Sequence, residues 1–250
     1  MKKCDVIAII PARWGSTRLP GKPLQMIAGK PMVQRVYERT AQCPEISRTL
    51  VATDDQRIID YVEQFGGQAI LSEGDYATGS DRVAGVARQL NLSDETLVLN
   101  VQGDQPLVNP KSLSTLLQTY IQEGVTHKEM ATLGFMMPAA EATNSGVVKM
   151  VLDKDDYALY FSRANIPFGR ENPVEQVYTH LGVYLYSHHF LKLSSQFPVG
   201  RLEDIEKLEQ LRILENGYKI KVVNTDYDSP EVDTPEDVKK IERLIEEGNF

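Results

Sequence analysis

Residues 6–24 read Val6-Ile-Ala-Ile-Ile-Pro11-Ala12-Arg13-Trp14-Gly15-Ser16-Thr17-Arg18-Leu-Pro-Gly21-Lys22-Pro23-Leu24, and their reading decides the fold. The apolar run Val6 to Ile10 is too short for a helix and rich in β-branched residues, which predicts a buried strand. It stops at Pro11 and opens into a loop carrying Gly15, Gly21 and three cations, Arg13, Arg18 and Lys22. Glycines let backbone N–H groups approach a ligand, and clustered cations select an anion. In an α/β sheet, ligands sit at the carboxyl ends of strands, so the loop reads as a triphosphate cradle.

Outward from the loop, short strands alternate with amphipathic helices. Met32, Val33, Val36 and Tyr37 take helical spacing, and Leu50–Thr53 is strand-like. Ile58, Val62 and Phe65 form the next apolar face, and Gln68–Leu71 a third strand. Val83 to Leu90 reads as a helix, Thr96–Val101 as the strongest strand, and Pro110 to Ile121 as another helix. This pattern predicts an α/β fold with parallel pairs. Past residue 128 the rhythm changes. Met130–Met136, Val147–Leu152, Ala158–Ser162 and Leu181–Tyr186 are strand-like, which predicts antiparallel pairs in a substrate-binding or dimer-forming subregion over residues 128–200. Leu202–Asn216 reads as one amphipathic helix ended by Gly217, and Lys219–Val223 as the last strand. Thr234, Pro235 and Asp237 read as the N-cap, first position and N3 of a final helix. With no low-complexity linker and no repeat, residues 1–250 are expected to form one domain.

The loop is not a P-loop: five residues separate Gly15 from Gly21, and Pro23 follows Lys22 where a hydroxyl would be needed for Mg²⁺. Metal ligands must therefore come from elsewhere. The segment AIIPARWGSTRLPGKPL (8–24) resembles the opening of the 3-deoxy-manno-octulosonate (Kdo) cytidylyltransferases, or CMP-Kdo synthetases. NVQGDQPL (100–107), YALYFSR (157–163), HLGVY (180–184), LEQLR (208–212) and VDTPED (232–237) are similar to the same family in the same order. The resemblance spans essentially the whole chain. It implies a three-layer α/β/α sandwich around a mostly parallel mixed sheet, and transfer of CMP from CTP to an acidic eight-carbon sugar with release of pyrophosphate. Lipopolysaccharide biosynthesis would be the setting.

Asp104 ends the strongest strand, between Gly103 and Pro106. Mg²⁺ is commonly held by one or two carboxylates plus substrate phosphates, which makes Asp104 the first candidate ligand. Asp233 precedes the Thr234 cap and is free to be the second. Arg13 and Lys22 are expected to neutralise the β- and γ-phosphates and the leaving group. The nucleotide set is completed by Pro11, Ala12, Ser16, Thr17, Arg18, Thr78, Gly79, Ser80, Arg82 and Gln102, alongside Asp104. The resemblance places residues 76–82 against the cytosine. Its usual form there is closer to His-x-Ser-Gly-Thr-x-Arg, so Tyr76, Thr78 and Ser80 depart from it; a simple N-cap is the competing account of Thr78. The resemblance also carries Gln102, Arg163, His180, Tyr184, Glu209 and Gln210 onto the sugar, with Arg163 offering a planar fork to a carboxylate.

Phe168-Gly-Arg170, Gly200–Asp204 and Asp228–Asp233 look more like the branch that activates 8-amino-3,8-dideoxy-manno-octulosonate, whose C8 carries an ammonium. Glu203 and Asp204, at the start of the Leu202–Asn216 segment, are the acidic candidates near C8, and Asp204 is the one expected to discriminate. Acids favoured by a helix dipole are the competing account. Alternatives within enzymes are a CMP-sialate-type or other sugar nucleotidyltransferase. Outside enzymes, a non-catalytic nucleotide-sugar binding protein remains.

The net charge of −8 argues against nucleic acid as a partner. Apolar content of 42% and charged content of 25% are those of a soluble globular protein. Cys4 and Cys43 suggest two reduced thiols. The apolar run after Lys2 and Lys3 breaks at Pro11 and Arg13, before a signal peptide could form, and no run is long enough to span a membrane. A cytoplasmic homodimer using Mg²⁺ is the expectation.

Overall fold

The computed structural model describes residues 5–15, 19–124 and 129–248. The expected strand β1 (Val6–Ala12) forms, with side chains alternating between two cores. Val6, Ala8, Ile10 and Ala12 enter one cluster, Ile7 and Ile9 the other. Such period-2 alternation with both faces apolar marks a central strand covered on both sides. Burying a side chain such as Ile9 contributes about 2–3 kcal/mol.

A small hairpin, β2 (Met26–Ile27) and β3 (Lys30–Pro31), leads into α1 (Met32–Ala41). Next come β4 (Arg48–Thr53), α2 (Gln56–Gln64), β5 (Ala69–Leu71), α3 (Gly79–Gln89), β6 (Leu97–Val101) and α4 (Pro110–Gln122). The antiparallel block holds β7 (Met130–Pro138), β8 (Lys149–Leu152), β9 (Ala158–Ser162) and β10 (Gln176–Ser187). Then follow α5 (His188–Ser194), α6 (Arg201–Glu206), α7 (Leu211–Glu215), β11 (Ile220–Thr225) and α8 (Pro235–Glu246).

The main sheet runs β11-β7-β10-β6-β1-β4-β5, with β8 and β9 added beside β10. Pairs β4–β5, β1–β4, β1–β6 and β7–β11 are parallel, whereas β10 is antiparallel to β6, β7 and β8. Apolar faces of α1, α2 and α4 pack on one side of the sheet, those of α3, α5 and α7 on the other. The three-layer α/β/α sandwich with a mostly parallel mixed sheet is thus the observed architecture.

Two features of this arrangement position the site. The chain leaves β1 towards β4 and β5, then returns to β6 on β1's other side. The crevice at the carboxyl ends of β1 and β6 is therefore a topological switch point. A third core, with Val238 and Ile241 of α8 against Leu19, Ile27, Met32, Leu107 and Val232, ties the C-terminal helix to the loop after β1.

The expected single helix over Leu202–Asn216 is two helices. Lys207 takes a left-handed conformation (φ 54°) between α6 and α7. The break has a cause: Arg163 Nε donates to Glu206 O (2.9 Å) and Nη2 to Lys207 O, while Glu206 accepts from Ser162 Oγ (2.6 Å) and Arg163 N (3.0 Å). These bonds satisfy carbonyls that a helix end leaves without partners.

Candidate active site

β1 ends at Pro11–Ala12 and β6 runs into Gln102-Gly103-Asp104. The two turns touch so closely that a Cβ on Gly103 would lie 2.6 Å from the Pro11 carbonyl oxygen. Gly103 thus lets Asp104 turn into the crevice. From the far end of the chain, Val232 N donates to Asp104 O (2.9 Å), and the Val232 side chain is fully buried. Residues 231 and 233 flank this inward residue. Asp237 completes the anchor: its carboxylate accepts from Asp233 N (3.0 Å), Thr234 N (2.8 Å) and Thr234 Oγ1 (2.9 Å). The predicted cap, with Thr234 Oγ1 accepting from Asp237 N, forms as a capping box.

These contacts bring Asp104 and Asp233 together around Lys22, whose ammonium donates to Asp104 Oδ2 (2.8 Å) and Asp233 Oδ1 (2.9 Å). Burial would push the ammonium's pKa down, but the two carboxylates more than offset this and raise it. Asp104 Oδ1 is buried and makes no hydrogen bond among the described residues. Glu231, which the sequence reading did not single out, adds a third carboxylate. Although its side chain keeps exposed surface, the enclosing concave wall strips water from it and pushes it up to about 8, with the charges of Asp104 and Asp233 adding to the shift. The only signal for it was its place two residues before Asp233 in an extended segment.

One cavity of about 390 Å³ opens on this cluster and is lined by Arg13, Lys22, Tyr76, Gly79, Gln102 and Asp104, with Asp233 at its edge. Pro11, Ala12, Thr78 and Arg82 border it as well. A Cβ on Gly79 would lie 3.0 Å from Gln102 Oε1 and 3.2 Å from Pro11, so glycine keeps this slot open. Ser16, Thr17 and Arg18 lie outside the described residues, as does Cys4. Some expected ligand contacts are already occupied from within. Thr78 Oγ1 caps α3 by accepting from Asp81 N (3.1 Å). Arg82 is buried and donates to Asp54 Oδ2 (2.7 Å) and to Ser72 Oγ. Asp54 in turn accepts from Trp14 N (3.1 Å), so Arg82 reaches the cradle through Asp54. Cys43 is buried without a disulfide, and burial pushes its thiol up to about 11.

A second, larger cavity of about 810 Å³ shares Asp233 with the first and is lined by Arg163, His180 and Glu231 among others. His180 Nε2 lies 3.0 Å from Thr132 Oγ1, whose hydroxyl is itself committed to Val183 O at 2.6 Å. The imidazole therefore donates from Nε2 and keeps Nδ1 as an acceptor. Burial holds its pKa down at about 3, so it is neutral at physiological pH. Arg163 directs three N–H groups to the carbonyls of Ser145, Glu206 and Lys207, leaving two of its five for a ligand. Below it, the fully buried Lys149 ammonium donates to Val147 O (2.7 Å) and Arg163 O (2.6 Å).

Tyr184, Glu209 and Gln210 form a separate group around a void of about 40 Å³ beside Thr78 and Ser80. Tyr184 donates to Gln210 Oε1 (3.1 Å). A relay runs from there to the nucleotide cavity: Gln102 Nε2 donates to Asn100 Oδ1 (3.4 Å), Asn100 Nδ2 to Ser80 Oγ (3.0 Å), and Ser80 Oγ to Glu209 (2.7 Å). Asp204 is in neither group. Its side chain is 69% exposed and pairs with Lys207 at 2.5 Å on the surface of α6. Asp204, expected to read the sugar's C8 end, lines neither the nucleotide cavity nor the larger one. Glu203, its neighbour, is buried against Arg212 (2.7 and 2.5 Å) as a structural pair.

The family pattern described as Cytidylyltransferase matches residues 7–220, which include the β1 loop and Asp104. The chain belongs to the cytidylyltransferase family. Among curated cytidylyltransferases it is 51% identical over 242 residues to a Shewanella amazonensis protein named 8-amino-3,8-dideoxy-manno-octulosonate cytidylyltransferase. That match covers 96% of this chain and 98% of the relative. A protein of the same name from Shewanella oneidensis matches to the same extent. A solved structure of CMP:2-keto-3-deoxy-manno-octonic acid synthetase complexed with CTP superposes with a TM-score of 0.90 at 38% identity, covering 98% of this chain and 99% of that one. A 4-diphosphocytidyl-2C-methyl-D-erythritol synthase from Anaerococcus prevotii, at 16% identity and TM-score 0.63, shares the fold.

Proposed function

We propose that this cytidylyltransferase couples CTP to an eight-carbon 3-deoxy-ulosonic acid, either the 8-amino-3,8-dideoxy sugar or Kdo, releasing pyrophosphate for lipopolysaccharide biosynthesis. The observation that carries the reading is the Lys22 ammonium held between Asp104 and Asp233 where the two cavities meet. CTP lies in the smaller cavity with its triphosphate on Arg13 and Lys22, and the sugar in the larger one. The sugar's anomeric hydroxyl attacks the α-phosphorus, the bond to the β-phosphate breaks, and pyrophosphate leaves.

Mg²⁺ fits the residues present. Two carboxylates converge on one cation, and Asp104 Oδ1 is a buried acceptor with no partner among the described residues. No cluster of three or more His, Cys, Asp or Glu among the described residues is arranged to hold a metal, so substrate oxygens would complete the shell. Bound there, Mg²⁺ supplies Lewis-acid polarisation of the α-phosphate. Lys22, displaced from the aspartates, turns its charge to the β- and γ-phosphates, where negative charge grows as pyrophosphate departs. His180 accepts a sugar hydroxyl at Nδ1, and the two remaining Arg163 N–H groups face the sugar's anionic end.

Leu159, Phe168, Val199 and Ile205 expose large apolar surfaces on and around the antiparallel block, which supports a homodimer through this face. Among the described residues no helix is long and apolar enough to cross a membrane, which accords with a cytoplasmic enzyme. Pyrophosphate release from CTP with each sugar and Mg²⁺ tests the activity. Release with a hexose 1-phosphate or sialic acid, and with neither octulosonate, would refute the substrate assignment.

A further inference from the structure

The larger cavity is lined by five carboxylates, those of Glu141, Asp228, Glu231, Asp233 and Asp237, against two permanent cations, Arg163 and Lys240. That balance is unexpected for a site whose ligand carries a carboxylate. Three of the five have evident duties or lie at the reacting end: Asp237 caps α8, Asp233 holds Lys22, and Glu231 lies within the field of Asp104 and Asp233. Asp228 and Glu141 remain. They sit on the same wall within electrostatic range of each other, and Asp228 accepts from Ser229 N at 2.8 Å.

Ser229, only 4% exposed, borders the same cavity and leaves its hydroxyl without a hydrogen-bond partner among the described residues. A buried hydroxyl without a partner is costly and points to a ligand atom. Together with the two exposed carboxylates of Asp228 and Glu141, this buried hydroxyl offers three acceptor groups, as many as the N–H donors of one alkylammonium. Only Ser229 and Pro230 separate Asp228 from Glu231, three residue steps that reach roughly 10 Å at most. Asp228 and Ser229 thus line the same cavity as Glu231 and Asp233, within reach of one ligand that spans both.

We propose that Asp228, with Glu141 and the Ser229 hydroxyl, binds the C8 ammonium of the 8-amino sugar and sets selectivity against the 8-hydroxy sugar. The inference rests on the octulosonate reading above and assigns the role that Asp204, exposed on α6, does not take. Desolvation in the cavity wall, with Glu141 beside it, raises the Asp228 pKa, while the Ser229 amide and Lys240, which lines the same cavity, work in the other direction; an arriving ammonium adds to the groups that favour the carboxylate. A carboxylate–ammonium bond is stronger than one to a neutral hydroxyl, so the ammonium gains what C8–OH cannot.

The test is kcat/KM for both sugars in wild type, Asp228→Asn, Glu141→Gln and Asp204→Asn, with thermal unfolding as a fold check. Asp228→Asn should lower kcat/KM for the 8-amino sugar about 10- to 100-fold, through KM, while changing the 8-hydroxy sugar less than threefold. Glu141→Gln should act in the same direction. Equal losses for both sugars, an unchanged preference, or selectivity carried by Asp204→Asn would overturn the assignment while leaving the cytidylyltransferase reading intact. A wild type that prefers the 8-hydroxy sugar would likewise refute the ammonium wall alone. A wild type that turns over neither sugar would refute the octulosonate reading and this inference with it.

Discussion

Replacing Lys22 with Met removes the ammonium from between Asp104 and Asp233 while keeping much of its aliphatic length. The two contacts, at 2.8 and 2.9 Å, join a side chain that is 14% exposed to carboxylates that are 27% and 31% exposed. A unit pair at 4 Å is worth about 4 kcal/mol at an effective dielectric of 20, which is a ceiling here. Carboxylates still wetted at a quarter to a third of their surface retain roughly 1 kcal/mol per pair. Mutual repulsion of Asp104 and Asp233 adds to the loss, whereas Glu231, pushed up to about 8, is largely protonated at neutral pH. The variant should therefore be about 1–3 kcal/mol less stable in metal-free buffer, a fall in Tm of roughly 2–10 °C for a chain of this size.

With Mg²⁺ on Asp104 and Asp233 as proposed, the ranking should reverse, because ion and ammonium would compete for the same two carboxylates. Binding to wild type would first have to expel Lys22, whereas in the variant that ammonium no longer competes for the aspartates. Removing about 1–3 kcal/mol of competition should tighten Mg²⁺ binding about 5- to 100-fold. Differential scanning fluorimetry across a Mg²⁺ titration, with calorimetry for affinity, reads both effects without needing turnover. CTP should show the opposite trend from Mg²⁺, with the variant losing more affinity for CTP than for CMP. Equal Mg²⁺ affinity in the two proteins, or a metal-free variant as stable as wild type, would refute the shared-site argument.

Asp104→Asn and Asp233→Asn should each lower turnover at least about 100-fold while lowering Tm by only about 2–4 °C, the loss of one ion pair to Lys22; near-normal turnover of Asp233→Asn at limiting Mg²⁺ would remove it from the metal shell. Gly103→Ala should cost about 1–3 kcal/mol and raise KM for CTP, because its Cβ would lie 2.6 Å from Pro11 O and force the two strand-end turns apart; equal Tm and KM would show the turns to be slack. His180 takes up no proton in the folded protein until about pH 3, whereas unfolded it protonates near 6.5, so its contribution to stability is full above 6.5 and lost as pH falls towards 3. Wild type should thus lose about 1–2 kcal/mol more than His180→Gln between pH 7.5 and 5, and parallel losses in urea unfolding would refute it.

The sequence was legible where one local pattern determined the outcome. Val6–Ile10 alternates into two cores, and its apolar character on both faces announced a central parallel strand. Thr234-Pro-Glu-Asp237 carries its own capping chemistry, and the box forms as read. Legibility failed where distant partners decide. Nothing local in Leu202–Asn216 says that Arg163 will take the carbonyls of Glu206 and Lys207 and split the helix. The segment Asp228–Asp233 stood out in the sequence by resemblance, but separate roles for Asp228 and Glu231 were not legible for a related reason: a carboxylate in an irregular segment gains meaning only from the cavity it borders.

The two aspartates that hold Lys22 lie 129 positions apart in sequence, yet a short chain of bonds fixes their separation. Val232 N reaches Asp104 O, the Val232 side chain fills the small core under α8, and Asp237 holds the Asp233 amide. Each bond belongs to a different scale of structure: a loop contact, a hydrophobic core and a helix cap. Loss of the α8 cap or of its apolar face would shift Asp233 without touching it, because the same residues that start the helix hold the carboxylate's backbone. Leu19 and Ile27, on the segment that carries Lys22, enter that same core. The C-terminal helix therefore acts as the clamp that sets both the cation and one of its two carboxylates. In this chain α8, docked against the segment after β1, thus sets the distance between Lys22 and Asp233 without itself bordering the nucleotide cavity.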